Sequence, residues 1–221
     1  MTTESIERPL RRIRSFVRRP GRLTPAQDHA LNTLLAQYQW QPSDMADGGP
    51  WVMEIGFGNG QALVEMAQAE PDHRFLGVEV HPPGVGRLLK ALDDHGIDNV
   101  RVAMVDAVDL LCHDIPDHGL DEVRIYFPDP WPKKRHHKRR LIQPDFVALL
   151  HAKLKPHGRV HLATDWAPYA EWMVTVLAGH GGFDRVCEPE LRRPSTHFER
   201  RGQRRGHTIV DLVYQTQVGA L

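Results

Sequence analysis

The 221-residue sequence has few cysteines, no long apolar run and no net charge. Cys112 and Cys187 lie far apart and in no ligand-like spacing, so we expect neither a disulfide framework nor a cysteine-based zinc site. No apolar run approaches the length that crosses a bilayer, and the arginine-rich N-terminus lacks the apolar core of a secretion signal. These absences predict a cytoplasmic protein without a membrane partner.

Histidine is abundant, with 14 copies, but its distribution does not predict a metal site. The adjacent His136 and His137 cannot readily ligate one ion together, and no two histidines are spaced to share one face of a predicted helix. We therefore expect no metal and assign these two histidines to a basic face.

The zero net charge hides a strong segregation of charge along the chain. Residues 1–22, 133–140 and 192–205 carry 19 of the 28 lysines and arginines and only three acids. The other 177 positions carry nine basic and 25 acidic residues, so an acidic body adjoins basic segments. This segregation indicates a polyanion partner if the three segments meet in space, and three ordinary solvated loops if they do not.

Short apolar runs alternate with helical patterns through most of the chain. The predicted strands are residues 51–55, 75–80, 100–105, 122–127, 159–163 and 208–214. The predicted helices lie near residues 24–40, 61–70, 83–95, 107–113, 143–154 and 166–179. This alternation predicts an α/β domain with a mostly parallel sheet and helices on both faces. The last strand follows a long basic loop instead of a crossover helix, which favours an antiparallel edge strand.

The pattern divides the chain into an arm and one domain. Residues 1–23 are studded with arginine and have few apolar anchors, so they are predicted to form a basic arm that could be mobile. The domain, residues 24–221, begins at Thr24-Pro25, a sequence that is typical of a helix start.

A glycine-rich turn follows the first predicted strand. Gly56, Gly58 and Gly60 occupy alternate positions, which permits a tight turn and close approach of a ligand to the backbone. Their spacing differs from the G-x-G-x-x-G of dinucleotide-binding folds, so a pyrophosphate ligand is disfavoured.

Three acids stand at the ends of the first three predicted strands: Glu54, Glu79 and Asp106. Each could instead cap the following helix, and for Asp106 alone the cap would be the better interpretation. Together they predict one acidic crevice, in which Glu79 could accept hydrogen bonds from ribose hydroxyls and Asp106 from an adenine amine. Without a phosphate-binding lysine, this crevice suits a ligand with a positive centre, a ribose and an adenine, such as S-adenosylmethionine.

A second motif places Asp129 between two prolines and just before six basic side chains. Proline restricts the residue before it to extended geometry, so we expect Phe127 and Trp131 to be extended and the carboxylate to be held in place. Taken alone, the segment equally fits a proline-rich turn followed by a solvated charged face.

With both motifs in place, the chain resembles the bacterial tRNA (guanine-N7-)-methyltransferase family, from about Arg11 to Tyr214. The matching segments, in order, are Ile13-Arg-Ser-Phe-Val17, Gly21-Arg-Leu-Thr24, Glu54-Ile-Gly-Phe-Gly-Asn-Gly60, Gly77-Val-Glu-Val-His81, Phe127-Pro-Asp-Pro-Trp131, Lys138-Arg-Arg140, Ala163-Thr-Asp-Trp166, Thr196-His-Phe-Glu199 and Arg201-Gly202. The resemblance implies a single Rossmann-like class I methyltransferase domain with a seven-stranded sheet. It also implies S-adenosylmethionine as cofactor and tRNA as partner, the target being the variable-loop guanine at tRNA position 46.

The resemblance also implies roles for individual residues. The cofactor acids would be Glu54, Glu79 and Asp106, beside the glycines of the turn, and the catalytic acid would be Asp129. Substrate contacts would fall on Lys133, Asp165, Thr196, His197, Phe198 and Glu199, and RNA contacts on Arg135, His136, His137, Lys138, Arg139 and Arg140. One position departs from the family pattern, because His197 stands where lysine is common.

Guanine N7 has a free lone pair near neutral pH, so its methylation requires alignment and no general base. Asp129 would accept hydrogen bonds from guanine N1–H and N2–H and would offset the charge left on the methylated ring. Asp165 could help to hold the base or could cap the next helix. Two other functions stay open at this point: methylation of a protein or small amine, and RNA binding without catalysis. The chain could be a monomer or a homodimer.

Overall fold

The computed structural model describes residues 13–17, 21–46, 48–187 and 193–217. Most of the predicted basic arm, residues 1–12 and 18–20, lies outside the described residues. Seven strands form one sheet: β1 (Trp51–Ile55), β2 (Arg74–Val78), β3 (Val100–Ala103), β4 (Leu120–Tyr126), β5 (Leu154–Thr164), β6 (Phe183–Arg185) and β7 (Val210–Thr216). The order across the sheet is β3-β2-β1-β4-β5-β7-β6.

The first five strands are parallel to one another, and β7 is antiparallel to both β5 and β6. The predicted mostly parallel sheet with its last strand antiparallel is therefore confirmed. The short strand β6, which was not predicted from the sequence, pairs with the outer side of β7. The strand order reverses between β1 and β4, which opens a crevice at the carboxyl ends of the strands.

Helices cover both faces of the sheet and bury two apolar clusters. They are α1 (Pro25–Thr33), α2 (Leu35–Tyr38), α3 (Gln61–Ala69), α4 (Pro82–Asp94), α5 (Ala107–His113), α6 (Pro144–Lys153), α7 (Ala167–His180) and α8 (His197–Gln203). Short 3₁₀ helices span Pro42–Met45 and Lys134–Arg139. Every residue of β1 is buried, as expected of a central strand that is covered on both faces. Among the described residues, no helix has both the length and the apolar character needed to cross a bilayer.

Several predicted boundaries were wrong. The single helix predicted near residues 24–40 is two helices, α1 and α2, separated at Leu34. The strand predicted at 159–163 begins earlier, at Leu154, and the helix α8 was missed because a seven-residue arginine-rich segment has too few apolar residues to show a helical period. The start of α1 was correct, because Thr24 and Gln27 form a capping box.

The contact between α4 and the glycine turn is close enough to exclude a side chain at Gly84. A Cβ there would overlap the carbonyl oxygen of Gly58. We expect Gly84→Ala to displace α4 from the turn and to lower the free energy of unfolding by about 1–3 kcal/mol, as in other overpacked sites. Thermal unfolding measures this loss.

The matched control is Gly179→Ala in α7, where a Cβ would meet nothing within 4 Å. Alanine in a helix interior is favoured over glycine by roughly 0.5–1 kcal/mol, so this variant should be as stable as the parent chain or more stable. Equal destabilisation by both substitutions would contradict the tight contact between α4 and the turn.

Candidate active site

Two clefts open at the carboxyl ends of the central strands, one on each side of the glycine turn. The first, of about 260 Å³, is lined by Ser15, Phe16, Ile55, Gly56, Gly58, Val78, Glu79, Val80, His81, Val105, Asp106, Ala107, Ile125, Tyr126, Phe127, Pro128, Asp129 and Leu141. The second, of about 300 Å³, is lined by Gln27, Glu54, Gly56, Phe57, Gly58, Asn59, Gln61, Ala62, Pro83, Gly84, Arg87, Tyr126, Phe127, Ser195 and Thr196. The three predicted acids and Asp129 therefore converge on one edge of the sheet.

The glycines of the turn have the backbone geometry that their spacing predicts. Gly56, Gly58 and Gly60 all have positive φ, at 77°, 61° and 76°, a conformation that is costly for other residues. Gly60 also lies against Leu88, which a Cβ would approach to 2.8 Å. The amide of Gly56 donates to the carbonyl oxygen of Val78 at 2.7 Å, so the turn is held to β2.

Glu79 is fixed by the backbone around the first cleft. Its carboxylate accepts hydrogen bonds from the amides of Gly58 at 3.0 Å, Val80 at 2.7 Å and His81 at 3.1 Å. Asp106 caps α5 by accepting from the amide of Val108 at 3.0 Å, and it lines the same cleft. Asp106 is therefore the helix cap that was the simpler interpretation of this residue. The capping bond also orients its carboxylate.

Glu54 differs from the other two acids because one oxygen of its buried carboxyl group makes no hydrogen bond. It is only 3% exposed, and its Oε2 atom has no hydrogen-bond partner. Burial raises the pKa of Glu54 to about 7, although the nearby Arg124 guanidinium opposes this shift. The side chain lines the second cleft, so a cationic group bound there would compensate its charge.

The segment around Asp129 departs from the extended geometry predicted from its prolines. Phe127 and Trp131 have positive φ, at 53° and 44°. This conformation is strained, and tertiary contacts hold it: the Phe127 amide donates to Ala163 O at 2.8 Å and the Trp131 indole to Ser15 O at 3.0 Å. The prediction of extended residues was wrong, and Asp129 lies at the wall of the first cleft.

The basic segment after Asp129 forms the 3₁₀ helix Lys134–Arg139. Lys133, Arg135 and Lys138 are exposed, and the Arg139 guanidinium lies 5.1 Å from the centre of the Trp131 ring. His137 is half-buried, with its carbonyl oxygen accepting from the Gln143 side chain at 2.9 Å.

One prediction about this basic segment needs correction. Arg140 is only 4% exposed, donates to Pro130 O at 3.0 Å and stacks over Tyr169, so it supports the Asp129 segment and is not accessible to RNA. Partial burial, followed by the charges of Arg135 and Arg139, lowers the pKa of His136.

The remaining predicted substrate residues are Asp165 and the four residues from Thr196 to Glu199. Thr196 and Glu199 form the capping box of α8, and Thr196 lines the second cleft. Asp165 does not cap α7; its carboxylate is 2.9 Å from Nδ1 of His207. The side chains of His197 and Phe198 lie outside the described part of the structure.

Described residues of the first and third basic segments lie beside the Phe127–Trp131 motif, which precedes the second basic segment. Ser15 contacts Trp131 across the first cleft, and Ser195 lies beside Phe127 at the second. One residue of the third segment is internal, because Arg193 bonds to Asp211 and Glu199 and is not on the basic face. Sequence reasoning missed this network, since its members are separated along the chain and carry no motif. Within the described ranges, no group of three or more His, Cys, Asp or Glu residues could hold a metal ion.

Comparison with known proteins agrees with this geometry. Residues 48–212 match the family model described as "Putative methyltransferase". The tRNA (guanine-N(7)-)-methyltransferase of Halorhodospira halophila is 51% identical over 93% of this chain and 95% of its own length. The protein of the same name from Alkalilimnicola ehrlichii is 50% identical over 93% of each chain.

A solved structure shares the fold. The 16S rRNA (adenine(1408)-N(1))-methyltransferase of Catenulisporales acidiphilia, crystallised with its cosubstrate S-adenosylmethionine, superposes with a TM-score of 0.57 at 18% identity, over 83% of this chain and 94% of its own. The predicted class I methyltransferase fold is therefore confirmed. On the near-full-length identity to its relatives, the chain belongs to the tRNA (guanine-N(7)-)-methyltransferase family.

Proposed function

We propose that this protein transfers the methyl group of S-adenosylmethionine to N7 of a guanine in tRNA, the variable-loop guanine at position 46. The observation that carries the proposal is the placement of Asp129 at the wall of an acidic cleft and directly before an exposed basic helix. The names of relatives that are about half identical over nearly the whole chain support the same reaction.

The two clefts fit the parts of S-adenosylmethionine. Glu79, fixed by three amides, has oxygens that can accept from ribose hydroxyls, and Asp106 can accept from the adenine amine. Glu54, a buried carboxyl group with an unpartnered oxygen, suits the ammonium of the methionine end. When bound, this cofactor supplies a methyl group on a positively charged sulfur.

Asp129 acts on the guanine by position and charge. Its carboxylate accepts from guanine N1–H and N2–H, a pair of donors that adenine lacks, and this selects guanine and fixes its ring. The methylated ring carries a positive charge, which the nearby carboxylate stabilises. No proton leaves N7, so the reaction requires in-line placement and no base. Outside the cleft, exposed Lys133, Arg135 and Lys138 bind the phosphate backbone.

The direct test incubates the protein with methyl-labelled S-adenosylmethionine and unmodified bulk tRNA, followed by digestion to nucleosides. Label in 7-methylguanosine is the expected result, and a tRNA lacking a guanine at position 46 should receive none. Label on protein or a small amine would favour the first alternative, and binding of tRNA with no transfer would favour a non-catalytic module.

Asp129→Ala should lower kcat by roughly 100-fold or more, because losing the group that orients the base costs this much in other enzymes. Binding of S-adenosylmethionine, measured by calorimetry, should persist. The control is Asp145→Asn, an exposed acid at the start of α6, which should keep full activity. Loss of cofactor binding in Asp129→Ala would reassign this residue to the cofactor cleft.

Glu54→Gln should change the pH dependence of stability. The pKa of Glu54 is about 7 in the folded protein against 4.5 in the unfolded chain, so the folded state binds the proton more tightly. The contribution of Glu54 to the free energy of unfolding is fully present below about pH 4.5 and is lost as the pH rises through 7. The free energy of unfolding changes by roughly 3 kcal/mol over this range.

Without cofactor, the glutamine variant should therefore be the more stable protein at pH 8 and similar to the parent at pH 5. It should also bind S-adenosylmethionine more weakly, because glutamine cannot pair with the ammonium. Thermal unfolding at both pH values, with and without cofactor, measures both effects. Parallel pH profiles for the two proteins would show that Glu54 does not titrate in this range.

Lys138→Ala should weaken tRNA binding and reduce the slope of log K against log salt by about one, the effect expected for one phosphate contact. Lys155→Ala is the matched control, since Lys155 is paired with Asp121 at the amino ends of the strands, opposite the clefts. Filter binding over a salt series gives both slopes. An unchanged slope for Lys138→Ala would remove this lysine from the RNA-binding face.

A further inference from the structure

We propose that Arg193 is a positioning residue for methyl transfer, which fixes the Thr196–Glu199 segment against the strand end that leads to Asp129. The proposal rests on the proposed function, because it concerns the geometry of the same site. Arg193 does not line either cleft, so it acts through the residues that do.

The guanidinium of Arg193 bridges two carboxylates on different elements. Its Nε and Nη2 atoms donate to the two oxygens of Asp211 on β7, at 2.6 and 2.7 Å, and its Nη1 atom donates to Glu199 on α8 at 2.6 Å. The side chain is only 6% exposed. A planar fork with several donors can hold two carboxylates in fixed relative positions, which a single ammonium cannot.

The same guanidinium packs on the end of β4. It lies 5.6 Å from the centre of the Tyr126 ring and 5.8 Å from that of Phe127. Phe127 is the strained residue with φ of 53°, two positions before Asp129. Strain of this kind persists only where surrounding contacts hold it, and Arg193 provides one such contact from outside the β4 segment.

A buried chain of hydrogen bonds closes the arrangement. The Tyr126 hydroxyl, whose pKa is raised by burial, lies within hydrogen-bond distance of Nδ1 of His161, at 3.2 Å. Nε2 of His161 donates to Asp211 at 2.9 Å, because a charged carboxylate can only accept. Burial alone would raise the pKa of Asp211, but the bonds from Arg193 and His161 lower it to about 2, so it stays charged.

The elements joined in this way form two of the walls of the second cleft. One wall contains Tyr126 and Phe127, and the other contains Ser195 and Thr196. Glu199 joins the second wall to Arg193 through its own bond to the Thr196 amide at 3.3 Å. Since buried ion pairs contribute little net stability compared with apolar packing, holding these walls at a fixed separation is the better account of the network.

The test is Arg193→Lys, which keeps the charge and removes the fork. We expect kcat at saturating cofactor and tRNA to fall roughly 10- to 100-fold, because small displacements of reacting groups have effects of this size. The dissociation constant of tRNA should change less than about threefold, and the salt slope of tRNA binding should stay the same. Arg185→Lys, an exposed arginine on β6, is the matched control and should retain the parent kcat.

A second variant guards against misfolding of the first. Glu199→Gln leaves the bonds between Arg193 and Asp211 in place, and the double variant with Arg193→Lys should lower kcat by much less than the product of the two single effects, because both act through one contact. Multiplicative effects would overturn the proposal. So would a lower Tm with an unchanged kcat per folded molecule, which would make Arg193 structural only.

A further outcome would also overturn it. A smaller salt slope of tRNA binding would make Arg193 a phosphate contact. Failure of the proposed function is a separate result, since the parent protein itself would then transfer no methyl group to tRNA.

Discussion

The glycine turn between β1 and α3 is the constraint on which the rest of the site depends. Because Gly56, Gly58 and Gly60 adopt positive φ, the backbone reverses within five residues and leaves a cleft on either side. The turn presents the amide of Gly58 to Glu79 and allows α4 to pack against its carbonyl group through Gly84. A side chain at Gly60 would approach Leu88 of α4 to 2.8 Å, and at all three positions any residue other than glycine would be strained by the positive φ.

Charge is arranged in two layers around this turn. Acids occupy the ends of the central strands, where burial and backbone amides control them, whereas the cations lie on the segments that border the clefts. Under the proposed function this arrangement separates two kinds of recognition, because the inner acids attract a cationic cofactor and the outer cations attract an anionic backbone. Arg140 and Arg193 are exceptions, because both belong to basic segments but are buried and bond to other parts of the protein. A basic residue in the sequence is therefore not always an exposed one.

Much of the fold could be predicted because its signals are local. The parallel core follows from apolar runs that alternate with helical patterns, and the acids fall at strand ends where register alone brings them together. Strand β6 was missed because three residues are too few to show an alternating apolar pattern. Helix α8 was missed because its arginine-rich sequence shows no helical pattern of apolar residues. For Asp106, the sequence offered a cap or a ligand contact, and its position permits both.

What the sequence could not predict is the conformation that tertiary contacts impose. The prolines favour extended neighbours, yet Phe127 and Trp131 adopt positive φ, at a cost of roughly 1–3 kcal/mol each. The contacts that hold them come from distant parts of the chain: Ser15 bonds to Trp131, Arg140 to Pro130, and Arg193 packs on Phe127. The position of Asp129 therefore depends on the assembled domain more than on its own prolines. Under the proposed function, residues far from the reacting atoms belong to the geometry that methyl transfer requires.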